Sequence, residues 1–411
     1  MDRAPEEVDF VRDMRARSRA EGGVFFAPDG ELAVFDAEVA QKINAINFAD
    51  LTLPDKLADV VRGRKGEPVN WKQVRSAMIA QLRRLSATEE IGRLDGRMRG
   101  LIDERLGRPL DLVWAAQQVC TQALLPTVVD GLPPADRERV LRDQDFKLAR
   151  LLRTRSDGDT IWKELRSIWI QVQAGNAVRR ELRGRAKGSR PRRLDLTDPV
   201  VDLLPELGLD RGVDAVTMVL TAIAGPPGAA AASLLYELTR RTDWAERLTA
   251  ELAPLPLEQL HGAPTQSAPV THRFVKEILR IWSPPVFMTR PVRTDIQLDK
   301  VSLKPGDRYM LSTYLIHHDP RNWKDPETFD PDRWLPESEK GPCPHAASYV
   351  PFGWAPKACI GAGLGTTQLM LLCHLFLTSY RIEVEEPESA GMMLAAVPMP
   401  VRFRGTITRR L

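Results

Sequence analysis

Helical periodicity constrains what this chain can fold into more than any other feature of its sequence. From Asn70 to about Ile170, and again from Asp210 to Leu252, apolar residues recur at spacings of three and four, which is typical of helices packed on a core. After about Trp282, prolines separate short segments in which apolar and polar residues alternate, as they do in small strands. The sequence therefore predicts a mainly α fold with a small β region.

A hairpin is predicted near the start of the chain. Residues 23–26 and 31–35 form alternating runs on either side of the turn Pro28-Asp29-Gly30. Helical patterns flank this hairpin at 8–20 and 37–46.

Composition excludes several classes of protein. Of the 411 residues, 43% are apolar and 27% are charged, which is enough to bury a sizeable core. Fifty-eight basic and 55 acidic residues leave a net charge of +3, too small to predict nucleic acid or a membrane as a partner. No repeat or break in composition marks a linker, so we interpret residues 1–411 as a single domain.

The cysteines and the N-terminus indicate the compartment. Four irregularly spaced cysteines argue against a disulfide scaffold and favour a reducing setting. The N-terminus lacks an apolar signal region, and no uninterrupted apolar run reaches about 18 residues. We therefore expect a cytoplasmic protein that neither is secreted nor spans a membrane.

One segment is strongly basic. Between Arg179 and Arg193 lie eight arginines and lysines, and only Glu181 opposes them. We interpret this segment as a solvated loop between helices, with a docking patch for an acidic partner or phosphate as the alternative.

A cysteine lies in a tight turn just before a predicted helix, in the segment 352–361 that begins Phe352-Gly353. The helix dipole and backbone N–H groups would lower the pKa of the Cys359 thiol and suit it to bind iron. Gly361 lets the backbone approach a flat cofactor without a Cβ clash. Taken alone, the pattern fits a buried structural cysteine equally well.

This loop resembles the haem-binding loop of the cytochrome P450 family, and the other motifs of that family follow in order. Glu277 and Arg280 match its E-x-x-R motif and lie on one face of a helix. Arg333 lies in a segment similar to the one whose arginine completes a buried network with that pair. The resemblance implies the cytochrome P450 fold, with the E-x-x-R helix at 271–282 and the central helix at 210–241.

The resemblance also implies the cofactor, haem b, with Cys359 as the axial ligand of its iron. The family's W-x-x-x-R motif is matched by Trp71 and Arg75, which would reach the haem propionates. Arg290 and Lys357 lie where the family places further propionate partners, although each could be an ordinary surface cation. The cofactor-binding residues expected in this way are Trp71, Arg75, Arg290, Phe352, Lys357, Cys359 and Gly361.

The central helix departs from the family. Where the family carries an acid and an alcohol that help deliver protons to iron-bound dioxygen, this chain has Pro227 and Gly228. The prolines should break the helix and open a groove on the oxygen side, along Gly225, Pro227 and Gly228. Three alternatives follow: water relays the protons, a substrate group fills the gap at Gly228, or the reaction needs less protonation, as in peroxide-driven oxidation or ring formation.

The substrate pocket is expected to be apolar. Seven positions are carried over from the family, and all except Thr221 are apolar, which predicts a hydrophobic substrate, although core packing could explain each of them. They are Leu220, Thr221, Ala224, Val286, Phe287, Met288 and Val397.

The resemblance thus implies a haem-thiolate monooxygenase or oxidase. We expect it to hydroxylate, couple or cyclise a bulky hydrophobic, natural-product-like molecule in secondary metabolism. No flavin or iron–sulfur motif is fused to the chain, so electrons would come from a separate donor such as ferredoxin and its reductase. The alternative is a helper or binding protein that has lost oxygen activation.

Overall fold

The computed structural model describes residues 4–47, 71–86, 89–151, 161–298, 301–335 and 347–410. Within these ranges helices dominate, in agreement with the predicted fold class. In chain order they are α1 (Asp9–Glu21), α2 (Ala37–Ile46), α3 (Trp71–Ser86), α4 (Glu90–Asp103), α5 (Leu112–Val128), α6 (Pro134–Leu151), α7 (Ile161–Ala186), α8 (Asp198–Ile223), α9 (Pro226–Arg240), α10 (Thr242–Leu252), α11 (Leu257–Gly262), α12 (Pro264–Ser267), α13 (Pro269–Ile281), α14 (Thr313–His317) and α15 (Ala362–His374).

The strands are short and form small sheets. They are β1 (Glu6–Glu7), β2 (Val24–Phe26), β3 (Leu32–Val34), β4 (Pro109–Asp111), β5 (Met288–Pro291), β6 (Ile296–Leu298), β7 (Val301–Leu303), β8 (Arg308–Leu311), β9 (Tyr380–Val384), β10 (Gly391–Leu394), β11 (Pro398–Val401) and β12 (Arg404–Arg409). The sheet orders are β1-β10-β11, β4-β12-β9, β2-β3-β8-β5 and β6-β7. Val24 pairs with Val34 across β2 and β3, which confirms the predicted hairpin.

The largest apolar cluster lies where α9 packs between α5, α13 and α15. Ala230, Ala231 and Ala232 of α9 are almost fully buried there, and such small side chains let the backbones of two helices come close. This packing holds the second half of the central helix against α5. A separate cluster joins α3, α6 and α7 to the first half, α8.

The basic segment is an ion-pair network, and the prediction of a solvated loop is wrong for its first half, which belongs to α7. Arg185 is buried between Glu181 and Asp195, at 2.8 and 2.7 Å. Acidic residues also pair with five of the other six arginines, so most of the segment's charge is balanced within the protein. These ion pairs join Arg179 to Asp210, Arg180 to Asp136, Arg190 to Glu181, Arg192 to Asp198 and Asp202, and Arg193 to Asp130.

Among the described residues, one stretch, 198–240, is long and apolar enough to cross a membrane by length and composition alone. It consists of α8 and α9, and 67% of its most apolar window is buried inside the fold. Gly208 interrupts it with non-helical dihedral angles, φ 73° and ψ 157°. Core helices of globular proteins meet the same criterion, so the stretch is explained by its packing.

Candidate functional site

The cysteine loop is closed by its own backbone just before α15. The N–H of Cys359 donates 2.8 Å to the carbonyl of Phe352, and the N–H of Gly353 donates 2.9 Å to the carbonyl of Val350. Gly353 has a φ of 75°, which favours glycine at this turn. The result is a compact loop that presents the Cys359 side chain beside the start of a helix.

Cys359 is exposed, although protein atoms surround much of its sulfur. Burial by its surroundings raises the pKa of the Cys359 thiol, while the backbone N–H of Gly361 and the charge of Arg75 lower it. Burial has the larger effect, so the pKa of this thiol is raised and not lowered as expected, although the Gly361 N–H acts in the expected direction. A bound metal ion would supply the charge that holds a thiolate at this position.

Two predicted cofactor-binding cations surround this loop and donate to main-chain carbonyls. Arg75 donates to the carbonyl of Ala358, the residue before the cysteine. Lys357 Nζ donates 2.7 Å to the carbonyl of Asn47. The side chain of Trp71 lies outside what the structure describes, although α3 begins at that residue.

Arg290 is the third predicted cation, and its Nε atom is buried without a hydrogen-bond partner among the described residues. Such a donor is costly to leave unpaired, and a carboxylate would satisfy it. A Cβ atom built on Gly363, just after the cysteine loop, meets nothing within 4 Å. An accessible thiol, an unpaired guanidinium nitrogen and open space beside the loop fit haem b, a flat cofactor with two propionates.

The E-x-x-R motif and Arg333 form one buried network. Arg280 donates to both carboxylate oxygens of Glu277, at 3.0 and 2.8 Å, and both side chains are fully buried. Arg333 Nε donates 3.1 Å to the same carboxylate. Arg280 also donates to the carbonyls of His317, Pro326 and Thr328, so the charges are well satisfied.

Two members of this network were missed by the sequence analysis. Trp334 Nε1 donates 3.0 Å to Glu277. His317 Nδ1 donates 3.1 Å to the carbonyl of Arg280, and its Nε2 accepts from the N–H of Val350 at 2.9 Å. His317 therefore connects the E-x-x-R helix to the start of the cysteine loop. Nothing in the sequence around His317, the last residue of α14, marks this role.

The central helix is broken where the prolines predict. The first half, α8, ends at Ile223, and the second half, α9, begins at Pro226 with prolines in its first two positions. Pro227 has no N–H to donate to the carbonyl of Ile223, one turn earlier. The hydroxyl of Thr121 on α5 donates to that carbonyl instead, at 3.3 Å.

Gly228 does not leave a gap for a substrate, and that prediction is wrong. A Cβ atom at Gly228 would lie 2.5 Å from Cδ and 2.7 Å from Cα of Gln117 on α5. Gln117 is fully buried, and its amide is oriented to donate 3.1 Å to the carbonyl of Gly225 and accept from the N–H of Ala229 at 3.0 Å. The missing side chain at position 228 is therefore explained by close packing of α9 on α5.

The seven predicted pocket positions fall into different surroundings. Leu220 belongs to the cluster of α3, α6, α7 and α8, and Ala224 is buried beside the break. Val286 and Phe287 pack with α1 and the hairpin, and the ring of Phe287 lies 5.3 Å from that of Phe10. Met288 packs in a further cluster, and Val397 is fully buried. Thr221 is exposed, and its hydroxyl accepts from Lys147.

The second half of the chain is similar in sequence to proteins of one known family. A family model described as Cytochrome P450 matches residues 229–400. The "Probable cytochrome P450 4s3" of Drosophila melanogaster is 32% identical over 123 residues, which are 30% of this chain and 24% of that protein. The "Cytochrome P450 4A10" of Mus musculus is 33% identical over 128 residues, 31% of this chain and 24% of that protein. The matched part thus spans about a quarter of these relatives.

Solved structures match over nearly the whole chain. A zebra fish cytochrome P450 determined with progesterone superposes with a TM-score of 0.79 at 20% identity, covering 98% of this chain and 100% of that one. The retinoic acid-bound cyanobacterial CYP120A1 gives a TM-score of 0.75 at 16% identity, covering 96% and 94%. At these identities the superpositions establish the fold.

Proposed function

We propose that the chain is a member of the cytochrome P450 family and a haem-thiolate oxidoreductase with Cys359 as the axial ligand. The observation that carries the proposal is the accessible Cys359 thiol in a closed loop, tied through His317 to the buried pair of Glu277 and Arg280. Chance matches to a cysteine motif would not bring these groups together.

Haem, when bound, supplies the redox chemistry, and a thiolate ligand favours cleavage of the O–O bond. The chain's own residues hold and orient it. Arg75, Arg290 and Lys357 are the donors that we assign to the propionates, with Trp71 beside them. Phe352 and Gly361 bound the loop that presents the sulfur, and the Glu277 network holds that loop in place.

We propose that the substrate is a bulky hydrophobic molecule of secondary metabolism, which the enzyme hydroxylates, couples or cyclises. Six of the seven carried-over pocket residues are apolar. The titles of two structural neighbours name progesterone and retinoic acid, which are hydrophobic ligands of those proteins.

Proton delivery in this proposal is atypical, because Pro227 and Gly228 carry no acidic or hydroxyl group. Since Gln117 fills the space beside Gly228, a substrate group cannot deliver protons from that gap. We propose that an exchangeable hydrogen elsewhere on the substrate, or ordered water at the break, serves instead. With substrate analogues that lack exchangeable hydrogens, the enzyme should then release more hydrogen peroxide per electron consumed. An unchanged yield of hydrogen peroxide would favour proton delivery by ordered water.

Electrons in this proposal come from a separate cytoplasmic donor such as ferredoxin with its reductase. Basic residues on the side of the cysteine loop would form its docking surface. Reduction by the donor should then slow markedly at high salt, since screening weakens surface charge attraction. A rate independent of salt would contradict this docking surface.

A helper protein without oxygen chemistry is the second candidate, favoured by Pro227 and Gly228. Reconstitution with a ferredoxin, its reductase and a panel of hydrophobic compounds distinguishes the two. The enzyme should consume reductant faster with a bound compound and yield an oxidised product. Stoichiometric haem without any product or peroxide across the panel would favour the helper.

A further inference from the structure

A group of polar side chains joins α6 to α8. Lys147 Nζ donates 2.6 Å to Asp143 Oδ2 and 2.9 Å to the hydroxyl of Thr221 on α8. Gln144 lies three residues before Lys147 and therefore shares a face of α6 with it. We call Asp143, Gln144, Lys147 and Thr221 the polar cluster. It lies one turn before the break in the central helix.

Gln144 is the unusual member of the polar cluster. It is 1% exposed, and neither its Oε1 nor its Nε2 has a hydrogen-bond partner among the described residues. Asp143 Oδ1 is likewise buried without a partner. Burying an amide without hydrogen bonds is destabilising, and proteins that keep such a group usually pair it with water or a ligand.

Gln118 on α5 provides the contrast. It is also buried, at 9% exposure, but its Nε2 donates 2.5 Å to Asp145 and its Oε1 accepts from Gln122 at 2.6 Å. A buried glutamine in this part of the fold can thus be fully paired within the protein. The lack of hydrogen-bond partners for Gln144 therefore reflects its immediate surroundings and is not general to buried glutamines in this part of the fold.

We infer that the polar cluster binds a neutral amide group of the substrate. Gln144 Nε2 would donate to the amide carbonyl, and Gln144 Oε1 would accept from its N–H. The group should be neutral, because Lys147 and Asp143 already balance each other's charge. The inference rests on the proposed function and narrows it to hydrophobic substrates that carry one amide.

In this proposal the amide reaches the cluster from the side of Thr221, which is exposed. Because Gln144 is only 1% exposed, binding requires a side chain to move. Lys147, with a side chain that is 22% exposed on a flexible stem, is the member that can do so. A ligand without the amide would leave buried polar atoms unpaired, which gives the site its selectivity.

The test compares Gln144→Leu with Gln118→Leu in the haem-loaded protein. Two probes of nearly the same shape, 2-naphthamide and 2-isopropenylnaphthalene, are titrated against the ferric Soret band. In the original protein the amide should bind at least tenfold more tightly than the hydrocarbon. Gln144→Leu should remove this preference, and Gln118→Leu should keep it.

Thermal unfolding of the ligand-free variants tests the same inference without haem. Gln144→Leu should raise the Tm, because it removes an unpaired buried amide, whereas Gln118→Leu should lower it, because it breaks two hydrogen bonds. No preference for the amide, or a Tm for Gln144→Leu that falls as that of Gln118→Leu does, would overturn the inference. The Tm comparison does not depend on iron ligation. Failure of the proposed function would instead be recognised from the haem spectrum, so the two failures can be told apart.

Discussion

At position 228 the residue type is set by a neighbouring helix. The family's alcohol is absent there, and the sequence alone favours a chemical explanation. Gln117 of α5 occupies the place of any side chain, so a threonine at this position would require α5 and α9 to separate. The missing alcohol and the tight helix packing are therefore one feature of the molecule.

Gly228→Ala should lower the free energy of unfolding by about 1–3 kcal/mol, because overpacking against a backbone atom forces the helices apart. Gly100→Ala is the matched control, since a Cβ at that helical position meets nothing within 4 Å. The control should be neutral or stabilising by up to about 1 kcal/mol. Urea unfolding measures both, and equal stability of the two variants would contradict the packing explanation.

Glu277→Gln should lower the free energy of unfolding by about 3–5 kcal/mol, because it leaves Arg280 without its buried counter-charge. Glu138→Gln on α6 is the control. Glu138 pairs with Arg142 at the surface, where an ion pair contributes about 1 kcal/mol or less. Denaturant titration measures the loss of unfolding free energy in both variants. Losses of similar size would argue against a special stabilising role for the buried network.

The sequence predicted the residues whose motifs are contiguous. Cys359, Glu277 and Arg280 lie in short patterns, so their roles could be inferred from spacing and resemblance. Gln117 and His317 could not be found, because each acts on backbone atoms of a segment far away in the chain. Nothing near them in sequence marks the carbonyl or N–H that they would meet.

At the scale of elements, the break in the central helix is stabilised from outside. Two prolines remove N–H donors, and Thr121 and Gln117, one turn apart on α5, bind carbonyls at the break. The break was predictable because it follows from proline geometry. The compensation was not, because it depends on which helix packs alongside.

Thr121→Val should cost about 1–3 kcal/mol of unfolding free energy, because it keeps the shape of the side chain but leaves the buried carbonyl of Ile223 without a donor. Thr249→Val in α10 is the control. Its hydroxyl bonds to the carbonyl of Ala245, which already accepts within the helix, so its loss should be small. Calorimetry of both variants provides the comparison. A loss for Thr121→Val no larger than the control's would show that the break needs no support from α5.

The basic segment shows that the order of charges along the chain does not predict ion pairs between distant segments. The sequence indicated a solvated loop at 179–193, with a docking patch as the alternative, because only one acid lies among its arginines. Their partners, such as Asp136 and Asp210, lie on other helices and become neighbours only through the packing of α6, α7 and α8. Charge patterning predicts local pairs well and distant pairs poorly.

At the scale of the whole molecule, two buried histidines link stability to pH. Burial, aided by the charge of Arg280, lowers the pKa of His317 from 6.5 to about 3, and the pKa of His318 is also well below its ordinary value. Below pH 6.5 the unfolded chain binds protons at these positions and the folded protein does not. Stability is therefore fully present above this pH and is lost as the pH falls.

The expected loss is about 1.4 kcal/mol per pH unit for each histidine on the acid side of 6.5. Urea midpoints between pH 7.5 and 5 measure it, since this range includes the value of 6.5 near which the unfolded histidines titrate. His317→Gln, which cannot titrate, should reduce the slope by about 1.4 kcal/mol per pH unit, while the other histidines keep their contributions. A slope unchanged by this substitution would mean that other groups govern the acid response.

The measurement that tests the central claim most directly is the absorption spectrum of the haem-loaded, reduced protein exposed to carbon monoxide. Ligation by the Cys359 thiolate predicts a strongly red-shifted Soret band, and Cys359→His should abolish that shift while retaining haem. A band typical of histidine- or thiol-ligated haem in the original protein, or no haem at all, would contradict the account.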